Sequence, residues 1–268
     1  MVFGFGVLLL VLTTFSAAAA GPKRVLILHS FGREFAPFTA ISSAFRTELA
    51  QQSPQPIEVR ETSLETALFV EGEREESVVE YLRVLLAGRP LDLVVTFGDP
   101  AGQFWLRHRQ ELLSSTPTLV AALDQRRLRG VTLGPDVAAV TFSLNLHAAI
   151  EHILAVLPST TNIVAVIGNS PVEKYWQVEA KKEFQPFTNR VAFTWLNELP
   201  LGEMQKRVAS LPAHSAILYG SVSLDADGVP YEQDRPLDTL HARANAPIFG
   251  FFDNLLGRGI VGGPLLPF

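Results

Sequence analysis

From Lys23 onward the chain alternates short apolar runs rich in β-branched residues with segments whose apolar residues recur every three to four positions. This rhythm constrains the fold more than any other feature. Strands separated by helical segments must be joined by crossovers, and crossovers put neighbouring strands parallel, so the pattern implies an α/β protein with a parallel sheet. The candidate strands are 25–29, 57–63, 93–97, 119–122, 137–142, 163–167, 191–194, 216–219 and 248–251. Between them, Phe38, Ile41, Phe45 and Leu49 form one helical stripe; Val78, Leu82, Leu85 and Leu86 form a second; Ile150, Ile153, Leu154 and Leu157 form a third.

Nine strands would make a large open sheet, and at 268 residues, 47% of them apolar, the chain can bury either one big core or two smaller ones. Two lobes of four or five strands are the more economical division. The change falls near residues 142–146, where a strand passes through Ser143-Leu144-Asn145 into a fresh helix and the rhythm restarts. Lobe 1 is then 21–143 and lobe 2 is 144–258, with 259–268 returning towards lobe 1. The halves start their key helices alike. Gly98-Asp99-Pro100 and Gly168-Asn169-Ser170-Pro171 each set a capping side chain before a proline at the first helical position, and Ser170-Pro171-Val172-Glu173 also matches a capping box.

Residues 1–20 join an apolar run to a small-residue stretch ending at Ala20. This reads as a secretory signal with an A-x-A-like cleavage site. It carries no basic residue before the apolar run and has the length of an uncleaved membrane anchor, so both readings stand; either places the remainder outside the cytoplasm, in the periplasm or its equivalent. The absence of cysteine removes disulfides, thiol nucleophiles and thiolate metal sites together. A net charge of −5 with scattered Lys and Arg leaves no nucleic-acid footprint.

Catalytic patterns are near misses. His147, Glu151 and His152 have the residue types of a zinc-protease helix, but histidines five apart do not share a helix face, and a solvated surface explains them. Tyr219-Gly220-Ser221-Val222-Ser223 lacks the second glycine of a nucleophile elbow. No phosphate loop and no G-x-G-x-x-G follows a strand, so no cofactor is expected. Glu71, Glu73, Glu75 and Glu76 suit the positive end of a helix dipole. A secreted hydrolase using His29 or Ser30 is the distant alternative: adjacent residues on a strand face opposite sides, so His29 cannot readily serve Ser30 as its base.

Open parallel sheets bind ligands at the carboxyl ends of their strands. The loops there supply the ligand-facing candidates: Ser30 and Phe31, Gly98 and Asp99, Asp124, Asn169 and Ser170 with Trp176 a turn and a half along, Tyr219 and Ser221, and Asp253. Exposed helix amides at Asp99 and Ser170 could hold a ligand carboxylate while an aromatic covers its side chain.

Four stretches, "KRVLILHSFGREFAPF", "DLVVTFGDPAGQFWLRHRQEL", "VIGNSPVEKYWQVEAKKEFQPFTNRVAFTW" and "APIFGFFDNLLGRGIVGGPLLP", carry a resemblance. From about Lys23 to the end the chain resembles the ABC-transporter substrate-binding-protein-like family, and most of all its branch that forms the extracytoplasmic sensor portion of bacterial, often hybrid, histidine kinases. The resemblance implies two Rossmann-like lobes of the periplasmic-binding-protein type, with parallel sheets, closing on a small organic solute, amino-acid-like or otherwise carboxylate-bearing. It implies no enzymatic activity in this stretch and a partner that is either a membrane kinase portion or an ABC permease. Relatives continue beyond the position of Phe268, so the resemblance reads this stretch as C-terminally truncated, with part of lobe 1 uncovered.

Overall fold

The computed structural model describes residues 21–32, 38–65, 75–232 and 234–267. Residues 1–20, on which the signal expectation falls, residues 33–37, Glu71 and Glu73 lie outside the described residues. Nine strands form among those described, each overlapping a run expected from the sequence, and they divide into two sheets.

The first sheet has the order β2-β1-β3-β4-β5, built from β1 (Lys23–His29), β2 (Ile57–Ser63), β3 (Leu93–Phe97), β4 (Thr118–Asp124) and β5 (Val137–Phe142), and every pairing is parallel. Helices α1 (Phe38–Gln52), α2 (Glu75–Leu86) and α3 (Asp99–Leu112) connect its strands. Alternation along β1 explains why both faces need helices. Leu26 and Leu28 join Leu82, Val94, Phe104 and Trp105 on one face, while Val25 and Ile27 join Val95, Phe97 and the α1 stripe on the other. Each such side chain, buried fully, contributes about 1.5–3 kcal/mol. Trp105 is wholly buried, and its indole N–H donates to Thr118 Oγ1 at 3.0 Å, which satisfies the one polar atom that burial would otherwise orphan.

The second sheet has the order β7-β6-β8-β9, from β6 (Asn162–Val166), β7 (Ala192–Trp195), β8 (Ser215–Tyr219) and β9 (Ile248–Phe249), again all parallel. Val164, Val166, Ile217 and Tyr219 face α6 (Leu201–Val208) and α7 (Asp234–His241); Ile163, Ala216 and Leu218 face α4 (Leu146–Val156) and α5 (Pro171–Phe184). The chain passes from one sheet to the other at Ser143-Leu144-Asn145, and Asn145 caps α4 by accepting from the Ala148 N–H at 2.9 Å.

The end of the described chain departs from the sequence expectation. Instead of returning towards the first lobe, residues 259–266 run beside β9. Val261 N–H donates to Ile248 O, Gly250 N–H to Gly262 O and Leu266 N–H to Phe251 O. Ile260 is buried in the second lobe's core, and Gly263 packs so closely on Gly250 that a Cβ would fall 1.9 Å from its carbonyl oxygen. Open backbone groups on β9 and a place for Ile260 in the apolar core account for this course.

Candidate functional site

The two sheets present their carboxyl ends to each other, and each offers a helix start there. At α5 the sequence expectation is met in full. Ser170 accepts from Glu173 N–H, and the Glu173 carboxylate accepts from Ser170 N–H at 2.9 Å. The box extends further: Glu173 Oε1 also accepts from Ser223 N–H at 2.6 Å and Ser221 Oγ at 3.0 Å. Glu173 is 1% exposed, and burial pushes its carboxyl above the usual range although the bonds from Ser223, Ser170 and Ser221 work the other way.

At α3 the expectation is corrected. Asp99 does not cap the helix: Gly98 is the N-cap, at φ 90°, and it has no capping side chain. Ser30 supplies the cap from β1's end, accepting from Ala101 N–H at 3.0 Å while donating to Phe97 O at 2.8 Å. A Cβ on Gly98 would sit 2.6 Å from Ser30 Oγ, so glycine is required by both space and backbone conformation. Asp99 turns instead to β4, where its Oδ1 accepts from Asp124 N–H at 2.8 Å.

Two consequences follow for the expected chemistry. Of the amides at the two helix starts, that of Ala101 is taken by Ser30, and those of Ser170 and Glu173 are taken by each other's side chains. Nor do His29 and Ser30 cooperate. His29 stacks on Phe97 with ring centroids 5.8 Å apart and pairs through Nε2 with Glu61 at 3.0 Å, whereas Ser30 is engaged with α3.

Between the sheets lies a cavity of ≈130 Å³. Phe31, Phe38, Asp99, Pro100 and Ala122 come from the first lobe, Phe142 and Leu144 from the crossing, and Leu146, Ile167, Val172, Trp176, Phe184, Trp195, Leu218, Gly220, Ser221, Phe251 and Phe252 from the second. Of the residues expected at a ligand, Phe31, Asp99, Trp176 and Ser221 line it. Gly98, Ser30, Asn169, Ser170, Tyr219, Asp124 and Asp253 do not. Gly98, Ser30 and Ser170 shape helix starts, Asn169 donates its N–H to Leu224 O, and Tyr219 is 2% exposed within the second core. Asp253 begins a 3-10 turn whose N-terminal N–H bonds Leu266 O.

Asp124 belongs to the crossing. Fully buried, it accepts from Arg126 N–H and Leu144 N–H and pairs with the Arg126 guanidinium at 3.0 Å. Arg126 in turn donates to Leu144 O and Glu183, both at 2.7 Å, and lies 5.7 Å from the centre of the Trp176 ring. Arg127 lies 4.2 Å over Tyr175. Two arginines of the first lobe thus grip α5 of the second, directly behind the cavity wall.

Sequence reading missed the aromatic walls because Phe142, Phe184, Trp195 and Phe251 occupy positions that also read as core. It also missed Ala122, a non-glycine residue at φ 56° where the β4–β5 register shifts between Ala121 and Leu123. A bulge at the mouth of a cavity re-aims the chain at the cost of about 1–3 kcal/mol of backbone strain.

No family model and no curated protein matches the chain. Solved structures do. An ABC domain from Streptococcus pneumonia, solved in complex with L-Trp, superposes with a TM-score of 0.59 at 18% identity over 89% of this chain and 76% of that one. A ligand-free, open substrate-binding protein with adhesive properties from Clostridium difficile gives 0.58 at 14% identity over 90% and 79%. A solute-binding protein of an ABC transporter from Rhodopseudomonas palustris BisB5, in complex with 3,4-dihydroxy benzoic acid, gives 0.56 at 12% identity over 88% and 64%. With its two parallel sheets facing across a cleft, the chain has the periplasmic-binding-protein-like α/β fold of these ABC substrate-binding proteins.

Proposed function

We propose that this chain is a non-enzymatic, extracytoplasmic binding module whose two lobes close on a small organic solute. The observation that carries the reading is the cavity, whose walls come from both sheets and from the crossing between them. A solute held there touches both lobes at once, so its affinity depends on how the lobes are disposed and it shifts that equilibrium by its preference for the closed form. Ligands are present in two of the structures that share the fold, which supports the same reading. Titration of residues 21–268 with a solute library, followed by calorimetry on each hit, tests it. A hit whose affinity falls about tenfold or more in Trp176→Ala supports the reading, and a library with no hit removes it.

The output of closure is signalling to a membrane kinase portion, on the strength of the four sequence stretches that resemble kinase sensors. A chimera placing residues 21–268 outside a membrane kinase should autophosphorylate in response to the solute, and an indifferent kinase would count against this output. A second reading, delivery to an ABC permease, is favoured by the substrate-binding proteins among the structural neighbours. The extracytoplasmic location rests on residues 1–20 and is checked by fusing them to a phosphatase that is active only outside the cytoplasm.

A further inference from the structure

The rings around the cavity also speak to the kind of solute. Resting on the binding reading above, we infer that the ligand is an aromatic solute whose flat ring is held among Phe142, Trp176, Phe184 and Trp195 of the crossing and the second lobe, with Phe31 and Phe38 on the first-lobe side. A cavity of ≈130 Å³ is close to the ~150 Å³ of an engineered apolar cavity that stays dry and takes up benzene. Aromatic side chains on several sides favour a ring by offset stacking or edge contact, beyond the apolar area it buries. A saturated or branched body of the same volume gains only the area, and a heavily hydrated solute would exchange its water for ring faces.

Two observations separate these rings from ordinary core. Phe142, Trp176 and Trp195 pack against the second lobe's apolar cluster yet are only partly buried, so each keeps surface to offer a ligand. Their planes are also set by neighbours. Phe184 stacks with Phe193 at 5.2 Å and with Trp195 at 6.0 Å, Lys181 Nζ stands 5.2 Å from the centre of the Trp195 ring, and the Arg126 guanidinium stands 5.7 Å from that of Trp176. On the first-lobe side, Phe31 and Phe38 stack with centroids 5.9 Å apart and planes 11° from parallel. Walls fixed in this way lose little freedom when a ring enters, so more of the contact energy appears as affinity.

The test holds the head group constant and varies only the ring. Three matched pairs, 2-phenylethylamine with 2-cyclohexylethylamine, 3-phenylpropionate with 3-cyclohexylpropionate, and L-phenylalanine with L-cyclohexylalanine, are titrated against the full chain by calorimetry and by tryptophan fluorescence. Two of the chain's three tryptophans line the cavity and the third, Trp105, is wholly buried in the first lobe, so emission reports occupancy of this site. In whichever pair binds, the aromatic member should be about fivefold or more tighter, although the saturated ring is the more apolar. Aromatic hits of the solute library are compared with their saturated counterparts in the same way. Trp176→Leu and Trp195→Leu keep the wall apolar and should each bring the ratio to within about twofold. The ratio is taken within one protein, so a partly unfolded variant still reports it. A saturated member as tight as its aromatic partner, a ratio that neither variant moves, or a non-aromatic solute as the only hit of the library overturns the aromatic ring and leaves solute binding standing. Silence of these probes and of the whole library overturns both.

Discussion

The starts of α3 and α5 do the same job in opposite lobes by different means. At α5 everything needed lies within four residues, Ser170 to Glu173, and the carboxylate then reaches out to Ser221 and Ser223. At α3 the cap comes from Ser30, 71 residues away in sequence, and the helix's own acidic residue is turned to a neighbouring strand. The lesson concerns cooperativity. The α5 start can form with its own helix, whereas the α3 start exists only after β1 and β3 have paired.

This contrast can be broken most severely at Glu173. Glu173→Ala leaves the N–H groups of Ser170 and Ser223 and the Ser221 hydroxyl without their acceptor in a buried site, so urea unfolding should show a loss of about 3 kcal/mol centred on the second lobe. Next comes Gly98→Ala, which forces a positive φ on alanine and drives a methyl into Ser30 Oγ; a loss of about 2 kcal/mol is expected, felt by α3 in hydrogen exchange. Ser30→Ala should cost about 1–2 kcal/mol, again at α3, and Ser170→Ala about 1 kcal/mol at α5, where Ser221 and Ser223 still hold Glu173. Equal effects at both sites in a hydrogen-exchange comparison would erase the distinction between a local and a borrowed cap.

The smallest expected effect is on pH dependence. Because burial raises the Glu173 carboxyl in the folded state, the folded form binds that proton more tightly than the unfolded form. Its contribution to stability is therefore greatest in acid and declines as pH rises from the ordinary glutamate value towards the raised one. Asp225 has the opposite sign. Burial works to raise it, but the N–H groups of Leu201, Val229 and Asp227 and the Tyr231 hydroxyl together hold it low, so its contribution is present above the ordinary aspartate value and fades below it. Comparing the pH profile of unfolding in the parent with that of Glu173→Gln isolates the first of these; an unchanged profile would assign Glu173 no titration in that window.

Much of the fold is legible in the sequence because its signals are local. Runs such as Val94-Val95 between α2 and α3 declare buried parallel strands, and Ser170 and Glu173 are three positions apart. The site is less legible because its decisive relations are not local. Nothing around Ser30 shows that it caps a helix through an amide 71 residues later, and nothing around Phe184 or Trp195 separates a cavity wall from a core position, since both demand an apolar ring. The course of residues 259–266 depends on which strand edge stands open, a property of the assembled sheet.

Ala122 shows how one residue sets the phase of everything after it. Along an unbroken strand, residues of equal parity share a side, yet Val120 and Leu123 both pack against Gly102 of α3. The additional residue has exchanged even for odd, and Leu123 and Asp124 inherit the exchange. Asp124 can therefore offer its N–H to Asp99 and its carboxylate to Leu144 and Arg126. Were Ala122 absorbed into a regular strand with no bulge, the final two β4 side chains would rotate by half a turn, exchanging inside for outside at the point where the lobes are joined.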